Sequence, residues 1–144
     1  MSHVAKSVTV SSDPTRIIDY IANVSNHPAF LGALKSVTNM AGDPRTPGSN
    51  WDWTFMMGGI EFTGRAETVA YEPGKKYSFK TTSGISSTFV YSCEPAGAQT
   101  KLTIDVTYEV PRTLLAKMQT AVVERLNEAE GASAVENLKA ILDT

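Results

Sequence analysis

The stretch from Pro111 to Thr144 is the only long helical pattern in the chain, and nearly everything between Ser49 and Val110 reads as strand. One helix and one antiparallel sheet must therefore bury each other. That pairing predicts a sheet curled around a helix, with space for an apolar ligand between them. Within the helical stretch, Leu115, Met118, Val122, Leu126 and Ala129 recur at spacings of three and four and form one apolar stripe. Val135, Leu138, Ile141 and Leu142 form a second, which lies nearly opposite the first at about 100° per residue. Gly131 falls between them, and Ser133 to Glu136 spells the capping box Ser-x-x-Glu. The pattern predicts a kink or short break near Gly131 that turns the second stripe back to the sheet. The alternative is an unbroken helix whose first half faces a partner or a second helix.

A chain of 144 residues can close one core, and no repeat, linker or low-complexity tract divides it, so residues 1–144 are read as one domain. With 42% hydrophobic and 19% charged residues the chain is globular rather than disordered. A net charge of -2 gives no basic footprint for nucleic acid or anionic membranes. No apolar run approaches the roughly 18 residues of a membrane span, and the opening Met1-Ser2-His3-Val4-Ala5-Lys6 lacks a signal-peptide pattern. The single cysteine, Cys93, excludes an internal disulfide framework and fits a reducing, cytoplasmic setting. The chain is expected to be a monomer or homodimer.

Taken in order, His3 to Ser11 alternates as a first, half-buried strand. Asp13-Pro14 starts a helix, with Asp as the cap and Pro in the first helical position, and Ile17, Ile18, Ile21 and Val24 form its buried face. Asn26-His27-Pro28 interrupts it, because the residue before proline avoids the α region. Pro28 to Leu34 fits a further short helix, and Leu34 to Met40 a second strand. Ala41 to Asn50 holds two prolines and two glycines and reads as a loop. Trp51, Trp53, Phe55 and Met57 then alternate with their neighbours up to a Gly58-Gly59 hairpin turn. In Ile60 to Ala70, Glu61, Thr63, Arg65 and Glu67 take one face and Phe62, Gly64 and Ala66 the other. Glu72-Pro73-Gly74-Lys75 fits a type II turn. Tyr77, Phe79 and Thr81 share a face, as do Phe89, Tyr91 and Cys93, and Leu102, Ile104, Val106 and Tyr108. Strand, two short helices, six strands and a long helix make an α+β order.

Four stretches resemble a known group. Val8-Thr9-Val10-Ser11-Ser12-Asp13-Pro14 running into Ile17-Ile18-Asp19-Tyr20-Ile21, and the polar turn and proline-aromatic segment Asn23 to Leu31, look like its opening strand and paired helices. Glu67 to Phe79 is similar to its mid-sheet hairpin, and Glu136-Asn137-Leu138-Lys139-Ala140-Ile141-Leu142 to its terminal helix. Together they resemble the START-like helix-grip proteins (SRPBCC), specifically the polyketide cyclase/dehydrase-like branch. The resemblance implies a seven-stranded antiparallel sheet curled around the long C-terminal helix, with two short helices between the first two strands. It implies a cavity for a small hydrophobic molecule such as a lipid, isoprenoid or polyketide. Relatives include carriers, cyclases and accessory proteins of larger complexes, so the fold alone does not choose among them.

The expected ligand-lining set is Trp51, Trp53, Phe55, Tyr77, Phe79, Phe89, Tyr91 and Tyr108 from the sheet, with Met118 and Val122 from the helix. Buried Tyr and Trp need partners for their polar tips, so several in one interior suggest polar points within an apolar pocket. The other readings are plainer. Arg65 and Glu67 share a face, and the opposite placement of Phe62, Gly64 and Ala66 sends that face to solvent unless a bulge intervenes. His27 would be a general base if it faced the cavity mouth, but its place before Pro28 favours a turn or capping role. His3 reads as solvated and Cys93 as a small buried hydrophobe. Two histidines and one cysteine are poor material for a metal site, no phosphate-cradling glycine motif is present, and no cofactor is expected.

Overall fold

The computed structural model describes residues 1–143. The elements run β1 (Ser2–Val10), α1 (Pro14–Ala22), a 3-10 turn (Val24–Asn26), α2 (His27–Phe30), β2 (Leu34–Ala41), β3 (Asn50–Met57), β4 (Ile60–Glu72), β5 (Lys76–Thr81), β6 (Ser87–Ala96), β7 (Gln99–Tyr108), α3 (Arg112–Leu115) and α4 (Thr120–Leu142). The seven strands form one antiparallel sheet in the order β1-β7-β6-β5-β4-β3-β2. This is the helix-grip α+β architecture, with both short helices placed between β1 and β2.

Local chemistry explains the boundaries. The Asp13 carboxylate accepts from the Thr15 N–H at 2.9 Å, and Pro14 follows as the first residue of α1. The β4–β5 turn closes with a Lys75 N–H to Glu72 carbonyl bond of 2.9 Å, and Gly74 takes φ +70° there. A register shift between Thr68 and Ala70 bends β4, but it falls after Glu67 and leaves the faces of Arg65 and Glu67 unchanged.

The C-terminal segment departs from the expected break. α4 runs without interruption through Gly131, and the break falls earlier, at residues 116–119, between α3 and α4. Gly131 is a contact point rather than a hinge. A Cβ there would lie 2.7 Å from Val4 Cγ1 and 3.4 Å from Lys6 Cγ, so its absence lets α4 settle onto β1. The same seam carries Ser2 Oγ donating to Glu124 at 2.6 Å, Lys6 paired with Glu128 at 2.7 Å, and Lys139 Nζ donating to the Thr9 carbonyl at 3.0 Å.

Because the helix is unbroken, one continuous face is buried: Val123, Gly131, Ala134, Val135, Leu138 and Leu142. The stripe read first from the sequence lies largely outside, with Leu115, Val122 and Leu126 exposed. Two adjacent valines test this orientation. Val123→Ala, which deletes two methyl groups from a fully buried site, is expected to cost about 2 kcal/mol. Val122→Ala should stay within about 0.5 kcal/mol of the parent. Urea denaturation of both variants checks it, and equal losses would contradict the orientation.

Candidate functional site: an aromatic cavity between sheet and helix

Strand pairing decides which side chains meet. Trp51, Trp53, Phe55 and Met57 of β3 stand opposite Ala66, Gly64, Phe62 and Ile60 of β4, all on the concave face. Phe79 of β5 is paired with Phe89 of β6, and their rings stack at 4.6 Å and 11°. Trp51 meets Phe79 at 5.5 Å in an edge-on arrangement. Between this wall and α4 lies a cavity of about 100 Å³. Its other boundaries are Val4, Leu31, Leu34, Ile85, Ile104 and Val106, with Asn127, Glu130 and Gly131 on the helix side.

Of the residues expected at the ligand, Trp51, Trp53, Phe55, Phe79, Phe89 and Tyr108 line this cavity. Tyr77 and Tyr91 share the concave face but stand behind it, fully buried in the core. The Tyr77 hydroxyl donates to the Pro44 carbonyl at 3.0 Å and meets Thr68 Oγ1 at 3.0 Å, which ties the β2–β3 loop to the sheet. Burial raises the Tyr77 pKa to about 12 and pushes Tyr91 up as well. Met118 and Val122 do not line the cavity. Met118 packs beside Gly58 at the β3–β4 hairpin, and Val122 faces outward because the helix is not turned at Gly131.

The helix instead presents polar groups inward. Glu130 Oε1 accepts from the Ala33 N–H at 2.8 Å, which fixes the α2–β2 connection against α4, and Asn127 Nδ2 sits 3.7 Å from Met57 Sδ. Thr81 and Ser87 also reach the cavity wall, with their hydroxyls bonded to each other and Thr81 Oγ1 also to the Ile85 carbonyl. Trp53 Nε1, Tyr91 Oη and Tyr108 Oη are buried without a hydrogen-bond partner among the described residues.

His27 is the residue whose position the sequence least foretold. It opens α2 but supplies no side-chain cap. Its ring is 1% exposed, lines the cavity, and packs 5.4 Å from both Phe30 and Phe79. Nε2 lies 2.7 Å from the Ile21 carbonyl. Burial disfavours the cation and lowers the pKa to about 4, with the Ile21 bond opposing only in part. The ring is therefore neutral at pH 7. A histidine followed by proline after a short apolar helix is consistent with either a cap or an inward ring, and nothing local separates the two.

The remaining candidates lie elsewhere. Arg65 bonds Asp52 and Asn50, and Glu67 reaches Lys80 at 3.3 Å, so both sit on the outer face and do not pair with each other. His3 is exposed beside Asp105 at 2.7 Å. Cys93 is half-buried, and burial raises its thiol to about 11. Among the described residues no three His, Cys, Asp or Glu side chains cluster as metal ligands, and no helix is long and apolar enough to cross a membrane.

A curled antiparallel sheet closed by one C-terminal helix over an aromatic cavity defines a helix-grip protein. The chain matches the family described as polyketide cyclase / dehydrase and lipid transport over residues 1–143, and it belongs to that family. Solved structures share the fold at low identity. A protein from Thermus thermophilus superposes with a TM-score of 0.82 at 15% identity, covering 97% of this chain and 96% of that one. A START superfamily protein from Mycobacterium smegmatis gives 0.78 at 15%, covering 99% and 97%. The Zhui aromatase/cyclase from a Streptomyces species gives 0.70 at 13%, covering 97% and 92%. No curated protein sequence matches the chain.

Proposed function

We propose that this chain binds a small hydrophobic molecule in the cavity between β3–β7 and α4. The observation that carries the reading is the partly open apolar cavity walled by Trp51, Trp53, Phe55, Phe79 and Phe89. Natural cores rarely leave such a space empty without use. At about 100 Å³ it is smaller than the roughly 150 Å³ engineered cavity that holds benzene. As it stands it suits one ring or a short chain. A lipid, isoprenoid or polyketide would require the wall to move.

The cyclase reading requires at least two polar groups to converge on the ligand. Arg65 and Glu67 point away, but His27 and Tyr108 both line the cavity beside the partly committed Glu130, so the cyclase reading stays open as the alternative. Binding is the step that both readings share, and it is the function proposed here. The test is saturable binding of toluene and indole, followed by ligand-observed NMR, alongside native mass spectrometry for a co-purified hydrophobe. Val106→Phe, which grows a half-buried wall residue into the void, should weaken binding about tenfold or more, a change of some 1.4 kcal/mol, while cooperative unfolding is retained. Absence of any saturable ligand in the wild type overturns the reading.

A further inference from the structure

The cavity wall is apolar apart from a few groups; some of these are engaged, while Trp53 Nε1 and Tyr108 Oη are buried without a partner among the described residues. Glu130 Oε1 holds the Ala33 N–H, Thr81 and Ser87 are bonded to each other and to backbone, and Asn127 faces Met57 sulfur. His27 differs. A carbonyl oxygen only accepts, so the 2.7 Å contact with Ile21 places the ring proton on Nε2. The neutral ring then carries a bare lone pair on Nδ1. No hydrogen bond from the described residues reaches that atom, although the residue is buried and lines the cavity. The nearest hydroxyl-bearing rings do not supply one: Tyr77 Oη is committed to Pro44 and Thr68, and Tyr91, with its ring centre 6.2 Å away, makes no bond to it.

An acceptor on a cavity-lining ring that no protein donor reaches has its natural complement in a donor brought by the ligand. We propose that His27 Nδ1 is a polar recognition point of this cavity, accepting a hydrogen bond from the hydroxyl of a single-ring ligand such as a phenol or cyclic alcohol. The proposal rests on the cavity being a ligand site and names the class of ligand it selects. The aromatic walls take the ring, and the cavity volume limits it to about that size. The Ile21 carbonyl fixes the tautomer, a positioning role that the backbone end of α1 performs.

Phenol and toluene have nearly the same shape, so their relative affinity isolates the hydroxyl. An apolar cavity with no acceptor favours toluene, because the phenol hydroxyl loses water for nothing. Titration calorimetry on the wild-type protein is expected to show phenol bound at least as tightly as toluene. The 15N resonance of His27 Nδ1 should move on phenol addition and not on toluene addition. In His27→Phe, phenol should fall about tenfold relative to toluene. Toluene preferred over phenol in the wild type, or an Nδ1 resonance unmoved at phenol saturation, overturns the proposal even if His27→Phe fails to fold. If neither compound binds, the cavity reading itself falls and the proposal with it.

Discussion

Gly64→Ala is expected to cost more than about 3 kcal/mol, beyond the usual range for an inserted methyl group. Gly64 lies on β4 opposite Trp53, on the concave face, where the turn between β5 and β6 folds back over the sheet. A Cβ on Gly64 would stand 2.2 Å from the Ser83 carbonyl oxygen, 2.7 Å from the Ser83 carbonyl carbon and 2.7 Å from Trp53 Cζ2. Two of these three atoms are backbone and cannot rotate away. The turn is itself held to β4, with the Thr82 N–H donating to the Arg65 carbonyl at 2.8 Å and the Ser83 hydroxyl accepting from the Arg65 N–H at 2.9 Å. Relief would require peeling the turn off the sheet, which would also displace Ile85 from the cavity wall. A domain of this size has some 5–15 kcal/mol of stability, so the loss should be plain in a urea midpoint. A variant within about 1 kcal/mol of the parent by urea midpoint would show that the close approach is not rigid.

The second large effect is on acid stability. His27 is buried as a neutral ring with its pKa lowered to about 4, against about 6.5 in an unfolded chain. The unfolded state therefore takes up a proton first as pH falls. Stability is full above about pH 6.5, declines between about 6.5 and 4, and levels off below about 4 as far as this group is concerned. The difference corresponds to roughly 3 kcal/mol at about 1.36 kcal/mol per unit. Its surroundings do not offset it: Phe30, Phe79, Tyr77 and Tyr91 crowd the ring, and both tyrosines stay neutral throughout. The exposed carboxylates Asp43, Asp52 and Asp143 have lowered pKa values, held down by bonds from Arg45, Asn39 and Ser11 respectively. They lose their contributions only at still lower pH, so the two windows separate. Urea unfolding from about pH 7 to pH 4 should show the decline in the parent and a nearly flat line in His27→Gln. A parent as steady as the variant would refute the buried neutral ring.

The strands were readable because their alternation is strict and glycine, proline and polar residues mark the turns. Arg65 and Glu67 fell on the outer face as their parity required, since the β4 bulge comes after them. The long helix was harder. Its buried face carries Asn127 and Glu130 among Val123, Ala134 and Leu138, while Val122 and Leu126 lie outside. A hydrophobic count along one helix picks the greasier side, and here the cavity side is mixed while part of the outside is apolar. The glycine misled for a related reason: only a partner strand reveals that Gly131 clears space for Val4.

The cavity wall was partly legible. Parity told which face Trp51, Trp53, Phe55, Tyr77, Phe79, Phe89, Tyr91 and Tyr108 occupy, but not which part of that face the short helices cover. α1 and α2 pack over β5 and β6 around Tyr77 and Tyr91, so those two rings are enclosed by protein. His27 was out of reach because its inward turn depends on the Ile21 carbonyl and on aromatic rings from distant strands.

The seam between β1 and α4 has a consequence for biosynthesis. β1 has no strand neighbour until β7 exists, and its concave side stays bare until the helix around Gly131 arrives. At roughly 5–20 residues per second, the earliest strand waits several seconds for the latest elements that protect it. Closure of this sheet therefore waits until everything from β1 to α4 has been made, and an alternating Val4, Val8 and Val10 strand spends that interval unpaired. A cell making this protein has good reason to keep a holding chaperone near the nascent chain.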